Sequence, residues 1–567
     1  MASYGTGETR VVALVGPFHS GKTTLLESIA VLTGDAHRKG GANQRLIGDA
    51  SAEAKAREMG VELNVATARY MDETFTFLDC PGSIEFLQEG LSAIALADAA
   101  VIVTEPDVSR ILSLAPIFRV LEDAGIPRFV LVNKIDRAAE SLSELAETLE
   151  RVSSAPVVLR HIPIREGDQI TGYADLASGR AHIYKPGGVS EVADLPASLA
   201  DRFAEDRYQM LEKLADFDDD LMEQLLEDID PSREEVFTDL AKDVQKGLIV
   251  PVLLGAAALD QGTNRLMKAL RHELPPFKAT QERLGVDARG DNLAQVIKTF
   301  HTAHAGKLSV ARVLRGRFKD GQSVGEDKIS GIYDLTGQDT TKRDDARAGD
   351  VVGFGRLDNT ATGDSISTGT VTALERPQIL SPVYALALHV KNRNDEVKLS
   401  GSLAKLTDED PSLTATHVAE TQELVLSGQG EMHLQVAVEK LKSRFGIAVS
   451  TARPQVPYKE TIKKPKTQHA RHKKQSGGHG QFGDVIVEVK PLPSGSGFAF
   501  EEKIHGGSVP KQYIPSVEHG IKDYLAQGPL GFPVIDIGVT LIDGKYHAVD
   551  SSDMAFQLAG RQAMVEA

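Results

Sequence analysis

The feature that most constrains this chain is Gly16-Pro17-Phe18-His19-Ser20-Gly21-Lys22-Thr23-Thr24, which has the G-x-x-x-x-G-K-[ST] spacing of a phosphate-binding loop. An apolar run at 11–15 precedes it, and Leu25, Leu26 and Ile29 follow at helical spacing. A strand, a glycine-rich turn and a helix start are the context the motif needs. Gly16 and Gly21 let the backbone curl so that successive N–H groups meet one anion. Lys22 adds charge and Thr23 offers a hydroxyl to Mg²⁺. These residues predict a doubly wound nucleotide-binding domain at the head of the chain.

Two further motifs follow in order. A run at 74–78 ends in Asp79-Cys80-Pro81-Gly82. There the carboxylate can hold a metal through a water and the Gly82 N–H can touch a terminal phosphate. A buried-type run at 129–132 leads into Asn133-Lys134-Ile135-Asp136. The Asp136 carboxylate can accept from two donors that guanine presents together and adenine does not, which selects GTP. Asn133 is placed to tie loops together and Lys134 to lay its stem on the base. After a long insertion, about 157–249, a strand at 248–254 ends in Gly255-Ala256-Ala257-Ala258, where the N–H groups of Ala256 and Ala257 are expected at the guanine O6. The acidic, amphipathic stretch 216–230 inside the insertion reads as a solvated helix face, with a partner-binding face as the alternative.

At 567 residues, three to five domains are expected. A net charge of −17 argues against non-specific nucleic-acid binding unless positive charge is gathered in one place. The single Cys80 excludes an internal disulfide framework, and no run is long and apolar enough to span a bilayer, so the composition reads as cytoplasmic. Beyond about 276 the texture becomes short β-type runs with glycine turns, which predicts a small β-barrel. Two α+β regions follow. In the second, Lys463, Lys464, Lys466, Arg471, Lys473 and Lys474 form a basic segment without acidic residues, running into Gly477, Gly478, His479 and Gln481. A solvated loop is the plain reading, and RNA contact is the alternative favoured by the glycine-rich tip.

The three nucleotide motifs are joined by Ser427-Gly428-Gln429-Gly430-Glu431-Met432-His433-Leu434, Pro454-Gln455-Val456-Pro457-Tyr458-Lys459-Glu460-Thr461, Gly506-Gly507-Ser508-Val509-Pro510 and Tyr546-His547-Ala548-Val549-Asp550. With these the sequence resembles the translational GTPases, and within them elongation factor G, over nearly its whole length. The resemblance implies a multidomain α/β and α+β chain: a P-loop GTPase domain at 1–280 with the insertion, a β-barrel at 285–372, and α+β domains at 377–453 and 454–567. The family's fifth domain has no counterpart in this sequence. It further implies GTP/GDP and Mg²⁺ (Thr23, Asp79) as ligands and ribosome-activated GTP hydrolysis. The implied partner is the ribosome, through rRNA, the tRNA–mRNA region and stalk proteins, with no DNA or membrane partner and a monomeric state. His547 falls with the basic tip among the ribosome-facing residues. Three departures stand out. The family's phosphate-loop Asp is His19 here. Its first-switch Arg-Gly-Ile-Thr-Ile aligns with Met59-Gly60-Val61-Glu62-Leu63, which puts Glu62 where a threonine would meet Mg²⁺. The histidine of its Asp-x-Pro-Gly-His is Ser83. The binding motifs are intact and the candidate catalytic positions Ser83, Glu62 and His19 are altered, so slow turnover is expected.

Overall fold

The structure, a computed structural model, describes residues 9–36, 39, 47–138, 142–167, 169–185, 189–302, 306–337, 339–370, 373–475 and 480–567. The chain forms two compact units, one of residues up to 417 with 424–453, the other of 418–423 with 454 onward.

The first unit starts with strand β1 (Thr9–Val15) and helix α1 (Lys22–Thr33). Helix α2 (Ala52–Arg57) is capped by Ser51, whose hydroxyl accepts from Ala54 N. Next come β2 (Asn64–Tyr70), β3 (Glu73–Asp79), helix α3 (Leu87–Leu96), β4 (Ala99–Thr104), β5 (Arg128–Val132), β6 (Val157–Leu159) and, past the insertion, β7 (Val250–Leu254). They pair in the order β2-β3-β1-β4-β5-β7-β6. Only β2 runs antiparallel to its neighbour. Side chains alternate between two apolar layers: Val12, Leu14, Val101, Val103, Phe129 and Leu131 on one face, Val11, Ala13, Val15, Ile102, Val130 and Val132 on the other. A parallel sheet buried on both faces is the doubly wound architecture, and its ligand crevice lies beyond the strand ends where connections diverge, here after β1.

Two expectations about the insertion change. Its first residues, 157–159, add β6 to the edge of the main sheet. Within the acidic stretch 216–230 the helix is shorter than the stretch, Asp219–Leu226, because the Asp218 carboxylate caps its start by accepting from Asp220 N and Leu221 N.

The barrel is built on β8 (Leu293–Thr302), β9 (Gly306–Arg315), β10 (Ile332–Thr336) and β11 (Val351–Gly355) around Val296, Ala311, Val313, Phe318 and Phe354. It is fixed to the nucleotide domain by Arg312, whose guanidinium donates to both oxygens of Asp98 (2.7 and 2.8 Å) with both side chains fully buried. The third domain has β12 (Tyr384–Val390), α4 (Glu396–Glu409), β13 (Glu423–Gly428), α5 (Glu431–Phe445) and β14 (Val449–Ala452). Strand β12 lies between β13 and β14, and both helices pack on the sheet through Leu399, Leu403, Leu434, Ala437 and Leu441.

The second unit contains β15 (Lys466–Lys474), β16 (Gln481–Pro491), β17 (Phe498–Glu502), α6 (Ile514–Leu525), β18 (Ile537–Lys545) and α7 (Asp553–Glu566). The sheet order is β15-β16-β18-β17, with β17 and β18 parallel and joined through α6. Helices α6 and α7 cover the core of Val485, Val487, Val517, Ile521, Val539 and Phe556.

Candidate nucleotide site

The loop after β1 needs its glycines. Gly16 has φ 136° and a Cβ there would lie 2.1 Å from the Val103 carbonyl oxygen; Gly21 has φ 94° and a Cβ there would lie 2.3 Å from Asn133 Nδ2. The Lys22 ammonium turns back and donates to Gly16 O (2.8 Å) and Pro17 O (2.9 Å), closing the loop on itself. Burial lowers its pKa to about 8, although the Asp79 carboxylate opposes the shift.

The second motif meets the first directly. A Cβ on Gly82 would lie 2.5 Å from both Lys22 Nζ and Phe18 N, so the turn after β3 fits against the phosphate loop only as glycine. The Thr23 hydroxyl donates to Asp79 Oδ2 at 2.7 Å. A hydroxyl and a carboxylate brought together at the end of a phosphate loop are the hard oxygen donors that Mg²⁺ takes, so the residues fit that ion.

The third motif closes the other side. Asn133, 2% exposed, donates from Nδ2 to Ser20 O (2.8 Å) and accepts at Oδ1 from Ala257 N (2.9 Å), joining the phosphate loop to the turn after β7. Lys134 donates to His19 O (2.7 Å) and is ion-paired with Glu105. Asp136 is part-exposed beside Arg137 (3.6 Å), and the N–H of Ile135 on Gly255 O keeps this turn next to 255–258. The N–H groups expected at a guanine O6 are both engaged within the protein: Ala256 N donates to Gln261 O in its own turn and Ala257 N to Asn133 Oδ1 of the neighbouring one.

Between these segments lies a cavity of about 440 Å³, lined by Phe18, His19, Gly21, Lys22, Thr23, Thr24, Asp79, Gly82 and Lys134, and on its far wall by Glu58, Met59, Gly60 and Glu62. Pro17, Ser20, Asn133, Asp136, Ala256 and Ala257 stand behind or beside this lining. Glu27, Cys80 and Pro81 also line it, and of the whole lining Glu27 and Glu58 are the residues that no motif marks for that place.

The three altered positions part company. His19 lines the cavity with φ 62°. Ser83 is buried and outside the lining, at the start of the short turn Ile84–Phe86. Glu62 lines the wall, yet its carboxylate is ion-paired with Lys440 of α5, with Arg444 4.0 Å away. Burial would raise its pKa, and Lys440, Lys298 and Arg444 together outweigh burial and hold it at about 2. The carboxylate that the alignment puts where a threonine would meet Mg²⁺ is thus neutralised from the third domain.

In the second unit only the start of the basic segment, Lys463 and Lys464, lies in a loop. Lys466–Lys474 is an edge strand paired along its length with β16, and Arg471 is committed to the buried Asp484 (2.5 Å). Lys463, Lys464, Lys466, Lys473 and Lys474 are exposed. Gln481 opens β16 and its Oε1 accepts from His472 Nε2 (3.0 Å), while His547 Nδ1 accepts from Asp550 N (3.3 Å). Gly477, Gly478 and His479 lie outside the described residues.

Four domain families match the chain in succession: the elongation factor Tu GTP binding domain at 7–276, elongation factor G domain 2 at 292–369, domain III at 379–453 and domain IV at 454–567. A phosphate-loop domain followed by that series is the build of a translational GTPase. An elongation factor G-like protein of Synechocystis is 48% identical over 98% of this chain and 84% of its own length. Elongation factor G of Fervidobacterium nodosum is 32% identical over the same shares. A crystal structure of a Thermus thermophilus protein superposes with a TM-score of 0.83 at 33% identity, covering 99% of this chain and 84% of that one. The chain belongs to the elongation factor G family. Among the described residues no helix is long and apolar enough to cross a membrane.

Proposed function

We propose that this chain binds GTP with Mg²⁺ and acts on the ribosome, promoting tRNA–mRNA movement or ribosome recycling coupled to GTP hydrolysis that is slow beside its relatives. What carries the reading is the convergence of the phosphate loop, the Asp79–Gly82 turn and the Asn133–Asp136 turn on one 440 Å³ cavity, with the Thr23 hydroxyl on Asp79 at its end. Asp136 selects guanine, Lys22 and the loop N–H groups hold the phosphates, and Thr23 and Asp79 hold the metal, which would neutralise charge developing on the phosphates. Water attack needs a group that orients the nucleophile, and neither Ser83 nor Glu62 is presented for that: one lies outside the lining and the other is bound to Lys440. This favours a second reading, a hydrolysis-impaired factor that uses GTP as a state marker while occupying the factor site in rescue or protection.

Steady-state phosphate release with and without vacant and programmed ribosomes tests both. Stimulated release well below that of a conventional elongation factor G, and rising in a Ser83→His variant, supports slow coupled turnover. Release at the ribosome-free background supports the binding module. Release equal to a conventional factor refutes the slow-turnover reading.

A further inference from the structure

The far wall of the nucleotide cavity is held by the third domain. Helix α5 presents Val436, Glu439, Lys440, Ser443 and Arg444 at spacings of three and four, which puts them on one face. That face meets α2 and the residues after it. Arg57 donates to both carboxylate oxygens of Glu439 (2.6 and 2.9 Å), Ser443 donates to Glu53 (2.6 Å), and Lys440 is ion-paired with Glu62. Between these polar contacts, Ala54, Met59, Val61, Phe86 and Val436 form a separate apolar cluster. The same helix holds the turn after Gly82. His433 N at its first turn donates to Glu85 (2.8 Å), and a Cβ on Gly430 would lie 2.3 Å from the Glu85 carboxyl carbon, so the carboxylate sits on the helix N-terminus.

The segment held from 53 to 62 contains Glu58, Met59, Gly60 and Glu62, four residues of the cavity wall, and the turn held at Glu85 follows Pro81 and Gly82 on the other side. Nothing in this arrangement needs a first-switch side chain on the metal. The nucleotide domain contributes its own restraint through Asp49 Oδ2, which accepts from Val61 N (2.8 Å) and Glu62 N (3.2 Å), so the wall is pinned from both domains.

We propose that Glu439, Lys440 and Ser443 of α5 are positioning residues for the nucleotide reaction: they hold the 53–62 wall closed, so that nucleotide retention depends on third-domain side chains that touch no nucleotide. This rests on the nucleotide reading above. By linkage, nucleotide that favours the closed wall must tighten the hold of α5 by the same factor. A packing contact without that coupling would hold the domains together and leave nucleotide release unaffected.

The test uses the full chain. The Arg57 and Glu439 side chains are 17% and 48% exposed, so their charges can be exchanged without burying an unpaired ion. Arg57→Glu and Glu439→Arg are each expected to speed dissociation of a fluorescent GDP about threefold to fivefold, in keeping with a well-formed, partly exposed pair. Each should also raise amide exchange over 53–62 in nucleotide-free protein. The double exchange should restore both. Lys440→Gln, which leaves the part-buried Glu62 without its closest partner, should speed release about tenfold or more. Singles within twofold of the parent in both measurements, or faster exchange with unchanged dissociation, would overturn the proposal. If the parent retains no guanine nucleotide, the nucleotide reading fails, whereas lost exchange protection in the singles still identifies the latch.

Discussion

Asn133 is where the site is most exposed to a single change. Replacing it with alanine removes a donor to Ser20 O and an acceptor from Ala257 N in a place only 2% exposed, with the amide nitrogen packed so closely on Gly21 that no side-chain carbon fits there. Each buried group left without a partner costs about 1 to 3 kcal/mol, so the pair comes to roughly 2 to 4 kcal/mol once a little hydration of the void is allowed. The cost falls on the relative placement of the phosphate loop and the 255–258 turn, the two segments that the proposed site sets on either side of the nucleotide. At about 1.4 kcal/mol per factor of ten, affinity should drop roughly 30-fold to 700-fold. The loss should be alike for GDP, GTP and xanthine nucleotides, since Asn133 orders the site without choosing the base. Titration with fluorescent nucleotides, beside a far-ultraviolet spectrum to confirm folding, measures it. Asn133→Asp keeps the acceptor for Ala257 N and sets a second oxygen against Ser20 O, so it should fare no better than alanine. A folded Asn133→Ala protein that binds GDP within threefold of the parent would refute the account of how the loops are joined.

Base choice should move with Asp136→Asn, which should shift preference from guanine toward xanthine nucleotides by about tenfold to a hundredfold, the lower end applying because the carboxylate is part-exposed; competition binding of the two nucleotides reads it, and unchanged preference contradicts the assignment. Asp243 is 1% exposed with neither carboxylate oxygen hydrogen-bonded among the described residues, and burial pushes its pKa up to about 6 against the pull of Lys242. A raised folded-state pKa means the folded protein holds this proton more tightly than the unfolded chain, so stability from this group is full below about 4 and lost as pH rises through 6. Asp243→Asn should therefore stabilise the protein at pH 7 in urea melts, with the gain shrinking to nothing near pH 4. In the second unit, converting Lys463, Lys464, Lys466, Lys473 and Lys474 to Gln should flatten the log–log salt dependence of ribosome affinity by about 0.7 to 0.9 for each phosphate no longer neutralised, whereas Arg471→Gln, whose guanidinium is spent on Asp484, should leave the slope nearly unchanged.

The parts legible in the sequence share a property: their geometry is fixed by neighbours in the chain. Gly16, Gly21 and Lys22 lie within one turn, and the glycines are demanded by backbone angles and by the close approach of Val103 and Asn133. The misread stretches are those where a distant partner or a cap decides. Lys466–Lys474 has one fully buried side chain, Ala470, so alternation is faint, and its strand state comes from pairing with β16. In the acidic stretch of the insertion, periodicity marks the helix but not its start, which the Asp218 cap sets at Asp219.

Glu62 is the instructive case. Its position in the motif placed a negative charge near the phosphates, and that conclusion followed only while no cation was known to be near. The cation is Lys440, 378 residues further along, on a helix whose own pattern announces nothing beyond an amphipathic element. Recognition of phosphate and base is written in short motifs because it uses backbone N–H groups and adjacent side chains. Closure is not, because it needs a second body to push against. A first-switch threonine obtains that body from the metal and nucleotide themselves, so the wall is ordered only when they are bound. With Glu62 on Lys440 and Arg57 on Glu439, the wall obtains it from another domain. The wall is then held closed in the GTP and GDP states alike, by contacts that do not read the terminal phosphate. If that holds, the ratio of GTP to GDP dissociation rates should lie near one in the parent. It should move away from one when Lys440 is replaced, with GDP release speeding up more than GTP release. Equal acceleration of both nucleotides would show instead that α5 clamps the site without regard to which is bound.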